Sequence, residues 1–285
     1  MADSSTIAVI FDFDDTLAPD STTKLLRSHG MDADKFWKKD VKTLVQNGYD
    51  PALAWLRLLL ENVGDDLPLG KLTNPELKEF GASLDADFFD GLPEFFDDLR
   101  AIANEAKVLI DFYVISGGLR EVILGSQIVN QYFEAVYGSE LDEGDKGYLS
   151  YVKRCVTFTE KTRYIFEINK GIPQEDALKN PFLVNMAIPE EMRPIPMENM
   201  IYVGDGLTDI PCFSLIGSNG GIGFGVFDPS DQAKAKRAFL EFLKPKRIVT
   251  MNSPRYGEDD DLGSLLRAAV GNLASQIQVR RRRAY

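Results

Sequence analysis

The chain has little of what builds disulfide frameworks or Cys/His metal clusters: two cysteines, Cys155 and Cys212, and a single histidine, His29, in 285 residues. So few thiols, so far apart, exclude a disulfide-stapled scaffold and a zinc site. It has no long hydrophobic run. The most leucine-rich stretch, 52–60, is broken by Arg57 and falls far short of the ~20 apolar residues of a membrane span. It also lacks positive charge overall. Lysine and arginine total 32 against 44 acidic residues, a net charge of −12, which argues against coating duplex nucleic acid, where clustered cations must displace counterions. Residues 1–6 carry no basic side chain and the apolar run 7–11 is too short for a signal-peptide core, so a cytoplasmic protein is expected, with no membrane partner. What is present is core material. Hydrophobic residues make up 44% of the chain and include 18 Phe and 10 Tyr, which excludes general disorder.

The length suits one large domain or a domain with an insertion. Short apolar runs alternate with amphipathic stretches, the pattern of an α/β fold built on a parallel sheet. Strands are expected over 7–11, 108–115, 200–203, 222–227 and 247–251. Helices are expected over 93–104, 119–130, 162–169, 232–243 and 262–278. Between Leu17 and Phe89 the periodicity is helical (24–29, 34–46, 51–62) and no strand is evident. That is too long for a simple crossover and predicts an inserted, mainly helical subdomain over 18–89, with residues 1–17 and 90–285 forming the core. A second irregular stretch, 171–199, is proline-rich, and loops of that length are functional more often than short ones. Arg280 to Arg283 form a basic stretch expected to be a solvated tail.

Two carboxylates, Asp12 and Asp14, directly follow the first apolar run in Ile7-Ala-Val-Ile-Phe-Asp12-Phe-Asp14-Asp15-Thr16. In open α/β sheets ligands bind beyond the carboxyl ends of the strands, so both emerge where a site is expected. The run Tyr202-Val-Gly204-Asp205-Gly206-Leu-Thr208-Asp209 repeats the arrangement. If the two strands are neighbours, four carboxylates converge, and such a cluster calls for a hard cation. Mg²⁺, with its preference for oxygen ligands, fits. Between these runs, Ser116-Gly117-Gly118 ends the second apolar run with a hydroxyl and glycines ahead of a predicted helix, a geometry suited to anions. Lys161 opens another predicted helix, where it opposes the helix dipole unless an anion compensates it; taken alone it reads as surface charge.

In this order the motifs resemble the haloacid dehalogenase (HAD) superfamily of phosphohydrolases: Asp12/Asp14/Thr16, then Ser116, then Lys161, then Gly204-Asp205 with Asp209. The resemblance implies a Rossmann-like parallel-sheet core with the 18–89 insert as a helical cap, closest in its Ser-Gly-Gly and Gly-Asp-Gly runs to the phosphoserine-phosphatase-like branch. It implies Asp12 as nucleophile and Asp14 as general acid and base. Mg²⁺ would be held by Asp12, Asp205 and the Asp14 carbonyl. Ser116, Gly117 and Lys161 would bind the phosphoryl group, with Thr16 and Asp209 in support. The second aspartate separates phosphatases from the dehalogenases, whose halide leaving groups need no proton. Two positions depart from the phosphoserine pattern: Ser21 stands where a glutamate would hold the substrate's amino group, and Thr208 replaces the usual asparagine. A phosphatase acting on a small phosphorylated metabolite is the expectation. A phosphotransferase, a non-catalytic HAD-like interaction protein and a phosphorylated signalling receiver are the alternatives. The basic residues of the insert either favour an anionic substrate or form a solvated helix face.

Overall fold

The computed structural model describes residues 6–228, 236, 239–244 and 246–283. Seven strands form one sheet: β1 (Thr6–Phe11), β2 (Leu109–Leu119), β3 (Phe133–Glu143), β4 (Leu149–Arg154), β5 (Met200–Gly204), β6 (Ile222–Val226) and β7 (Thr250–Asn252), in the order β4-β3-β2-β1-β5-β6-β7. All neighbours run parallel except β3 and β4, which pair antiparallel at one edge. This is the expected α/β architecture.

The central strand β1 shows why the layers form. Every residue from Ile7 to Phe11 is fully buried. Ile7, Val9 and Phe11 join one apolar core and Ala8 and Ile10 the other, because successive side chains point to opposite faces. A strand covered on both sides must be apolar throughout, as parallel strands are. The Ile7 face carries α6 (Glu94–Glu105) and the long final helix Asp261–Arg283. The Ala8 face carries α9 (Phe158–Lys170) and α11 (Ile210–Ser218).

The connection from β1 to α6 is helical: α1 (Ser21–Ser28), α2 (Ala33–Lys35), a π-helical turn Phe36–Val41, α3 (Lys42–Gln46), α4 (Pro51–Leu60) and α5 (Asn74–Ala82). Their starts are set by side-chain caps. The Asp20 carboxylate accepts from the Thr23 N–H at 2.6 Å, and Asp50 accepts from Ala52 and Leu53. Thr73 and Glu76 form a reciprocal capping box.

Several expectations need correction. The antiparallel pair β3 and β4 was not expected, and neither was α5. The second strand does not stop at Ile115; it runs to Leu119 with its register broken between Ile115 and Leu119. The helix expected over 119–130 is two short ones, α7 (Arg120–Ile123) and α8 (Gln127–Tyr132). The stretch 171–199 holds a short helix, α10 (Gln174–Lys179), and three 3₁₀ turns. Arg280–Arg283 is no loose tail: it ends the final helix, where cations suit the carboxyl end of the dipole. Arg280 pairs with Glu198, and Arg281 donates to the Lys107 carbonyl at 2.8 Å. Half of the helix expected over 232–243 lies outside the described residues; its end is a π-helical turn, Phe239–Leu243. No described helix is long and apolar enough to cross a membrane.

Candidate active site

The site lies at the carboxyl ends of β1, β2 and β5, three adjacent strands. Asp12 is the first residue past β1, and its N–H still donates to the Val203 carbonyl of β5 at 2.9 Å. The alternation that places Ala8 and Ile10 against α9 carries on to Asp12, and α9 supplies Lys161. The Lys161 ammonium lies 2.8 Å from Asp12 Oδ2 and 2.7 Å from Asp209 Oδ1, with all three side chains almost fully buried. Lys161 is therefore an interior charge, contrary to its reading in isolation. A buried cation of this kind is tolerated only when paired and hydrogen-bonded.

Asp209 is held from every side. Its Oδ1 also accepts from the Tyr202 hydroxyl at 2.7 Å, and its Oδ2 accepts from the Gly206 N–H at 2.9 Å. Gly204 makes this possible, because a Cβ there would lie 2.5 Å from Asp209 Oδ2. Tyr202 was missed by the sequence reading, since a tyrosine in an apolar run looks like core.

Carboxylate oxygens of Asp12, Asp205 and Asp209 all come within 4.8 Å of one another. Three carboxylates against one ammonium leave this cluster at −3 + 1 = −2. An all-oxygen donor set with that deficit fits a hard divalent cation such as Mg²⁺. The Asp14 carboxylate is not in that group. It accepts from the Ser21 N–H at 2.8 Å and faces Gly118, where a Cβ would lie 2.5 Å from Asp14 Oδ2. Between them the chain turns tightly: Asp15 has φ 55, the left-handed region that aspartate tolerates better than most residues.

Burial pushes the Asp12 carboxyl up to about 6 even with Lys161 beside it pulling the other way. Burial, reinforced by Asp20, pushes Asp14 up to about 8. Burial alone would lower the Lys161 ammonium, but Asp12 and Asp209 outweigh it and hold it well above its ordinary value.

Ser116 is buried and its hydroxyl accepts from the Gly118 N–H at 3.0 Å. The run 116–118 belongs to the irregular end of β2, and the short helix α7 starts two residues later at Arg120, so the glycines precede the helix start and are not in its first turn. Ser116 and Gly117 nevertheless line the same cleft as Asp12, Asp14 and Asp205. Thr16 is fully buried; its carbonyl accepts from the Tyr256 hydroxyl at 2.8 Å, and its own hydroxyl meets no partner among the described residues. His29 is exposed, with Nδ1 3.0 Å from the Leu25 carbonyl.

The cleft above these groups has a volume of about 230 Å³. Its other wall comes from the segment after β1: Asp20, Thr22, Trp37 and Trp55. None of the insert's lysines or arginines lines it. Lys24 pairs instead with Asp87, Lys38 with Asp34 and Arg57 with Glu61.

No family model matches the chain. An uncharacterized protein of Borreliella burgdorferi is 32% identical over 234 residues, covering 74% of this chain and 78% of its own length. The chain belongs to one family with that protein. Two solved structures share its architecture. A HAD family hydrolase from Salmonella enterica serovar Typhi superposes with a TM-score of 0.52 at 16% identity, over 84% of this chain and 71% of its own. A probable phosphoserine phosphatase from Vibrio cholerae gives 0.55, also at 16% identity, over 96% and 67%. The fold is that of the HAD superfamily. In this HAD fold the four sequence motifs meet at one place, the carboxyl ends of β1, β2 and β5 and the first turn of α9.

Proposed function

We propose that the protein is a Mg²⁺-dependent phosphatase that hydrolyses a phosphomonoester of a small metabolite through an aspartyl-phosphate on Asp12. The observation that carries this reading is the pairing of Asp12 with Lys161 beside Asp205 and Asp209, with Asp14 lining the same cleft. The donors suit Mg²⁺ held by Asp12, Asp205 and the Asp14 carbonyl, with Asp209 behind them; bound there, the ion would neutralise phosphoryl charge.

Asp12 attacks phosphorus in line. Its oxygen–phosphorus bond forms as the bond to the leaving alcohol breaks, splitting one hard displacement into two easier ones. Asp14 gives its proton to the departing oxygen. A carboxyl pushed up to about 8 holds that proton at neutral pH. In the second step Asp14 takes a proton from water, whose oxygen bonds phosphorus as the Asp12–phosphorus bond breaks and phosphate leaves. Ser116 and the Gly117 N–H bind phosphoryl oxygens, while Lys161 balances the charge on Asp12. Segment 18–89 acts as a cap whose inner wall contacts the alcohol.

The test is phosphate release from p-nitrophenyl phosphate. The wild type is expected to turn over with Mg²⁺ and stop on chelation, and Asp12→Asn to fall to background. Folded Mg²⁺-loaded wild type with no turnover of this or any small phosphomonoester contradicts the reading.

A further inference from the structure

The chain passes between the sheet core and the helical insert twice, outward through residues 12–18 and back through 88–91. Both crossings meet at one residue of the segment before the final helix, Tyr256. Its hydroxyl donates to the Thr16 carbonyl of the outward crossing at 2.8 Å, and its N–H donates to the Asp90 carbonyl of the return crossing at 2.7 Å. The crossings also touch each other, the Phe89 N–H donating to the Leu17 carbonyl at 3.0 Å.

This clasp is anchored in the core. Tyr256 is fully buried, with its ring against Phe11 of β1 and Phe95 of α6 at centroid distances of 6.3 and 5.1 Å. Arg267 of the final helix donates to the carbonyls of Tyr256 and Gly257, both at 3.1 Å, and to the Asp98 carboxylate at 2.6 Å. The fit against the return crossing is close: Gly91 has φ 90, and a Cβ there would lie 2.3 Å from the Gly257 nitrogen. Core packing accounts for the ring of Tyr256 but not for its hydroxyl. A phenylalanine would fill the same space, and only the O–H reaches the outward crossing.

The segment held in this way carries Asp14, two residues before Thr16. Its shape is set internally. The Phe13 carbonyl accepts from Thr16 and Leu17 at 3.2 and 2.8 Å, and the Asp15 N–H donates to the Ala18 carbonyl at 2.7 Å. Tyr256 adds a bond from outside the turn. Asp12 does not depend on that bond, because Val203 and Lys161 already hold it. A proton donor works only within hydrogen-bond reach of the leaving oxygen, and a misplacement of about 1 Å can cost a factor of about 100.

We infer that Tyr256 is a positioning residue: its hydroxyl and N–H tie the two crossings to the core, and the tie holds the turn that places Asp14 at the leaving oxygen. The role toward Asp14 rests on the phosphatase reading; the tie itself does not.

The experiment compares Tyr256→Phe with wild type on phenyl phosphate and p-nitrophenyl phosphate, two esters of similar shape whose leaving groups differ in their need for a proton. Tyr132→Phe, which removes a buried hydroxyl's bond to Asp97 and touches neither crossing, is the control. In Tyr256→Phe, kcat/KM for phenyl phosphate should fall about tenfold and that for p-nitrophenyl phosphate by less than about threefold. The control should keep the wild-type ratio. Equal slowing of both esters, or none, overturns the role toward Asp14 and leaves the phosphatase reading standing. Hydrogen exchange of the Mg²⁺-loaded protein reads the tie with or without turnover. Amides of 15–18 and of Phe89 should exchange about fivefold faster in Tyr256→Phe, as for one lost hydrogen bond, while those of β1 stay at the wild-type rate. Unchanged exchange at the crossings, or a uniform rise that the control reproduces, overturns the tie. If the wild type hydrolyses neither ester the phosphatase reading fails, and hydrogen exchange alone decides whether Tyr256 joins the crossings.

Discussion

The two sides of the cleft are built differently. The floor, Asp12, Lys161, Asp209 and Tyr202, is buried, and each polar group in it is tied to another at 2.7 or 2.8 Å. The wall, Asp20, Thr22, Trp37 and Trp55, comes from a helical segment joined to the floor by the tight turn after Asp14. A network that is buried and interlocked resists change and suits a reaction that depends on positioning. A wall made from one separate segment can change its side chains without disturbing that network. On the proposed reading the floor carries the chemistry and the wall the choice of substrate.

That contrast can be broken most sharply at Lys161. Replacing it by Met leaves Asp12 and Asp209 as uncompensated buried carboxylates, a loss of about 3–5 kcal/mol in denaturant unfolding. Trp37→Leu in the wall should cost clearly less. Equal losses would mean that the floor is no more interlocked than the wall. Gly204→Ala comes next. Its methyl would lie 2.5 Å from Asp209 Oδ2, so the carboxylate must move, at about 1–3 kcal/mol and with weaker Mg²⁺ binding measured by calorimetry. Unchanged Mg²⁺ affinity would show that Asp209 does not support the metal.

Tyr202→Phe removes one of the donors on Asp209 and should destabilise by about 0.5–1.5 kcal/mol. The last of these tests is one of pH. Asp14 is held at about 8, above its ordinary 3.8. A carboxyl raised on folding contributes stability that is complete below its unfolded value and is lost as pH rises through the folded one. The melting temperature of the metal-free protein should therefore fall between about pH 5 and about pH 9 more for wild type than for Asp14→Asn. Parallel curves would show that Asp14 is not raised.

The sequence was more legible on the floor than on the wall. Asp12 and Asp205 could be read because each follows an apolar run, and strand order then brings neighbouring strand ends together. Lys161 was legible only in company with the other motifs, since nothing local says that its ammonium turns inward. Tyr202 looked like core because its ring is core and only its hydroxyl reaches Asp209. The antiparallel pair β3 and β4 escaped notice because these strands alternate buried and exposed residues over part of their length and lack a continuous apolar run. Trp37 and Trp55 gave no signal. Their meeting depends on a π-helical turn and on helix packing, which no short motif encodes.

The most direct test of the account is acid quench of the Mg²⁺-loaded protein during turnover of p-nitrophenyl phosphate, followed by peptide mass spectrometry. The account predicts a hydroxylamine-sensitive phosphoryl group on Asp12, absent in Asp12→Asn. Turnover with no phosphorylated protein, or with the phosphoryl group on another residue, would contradict it.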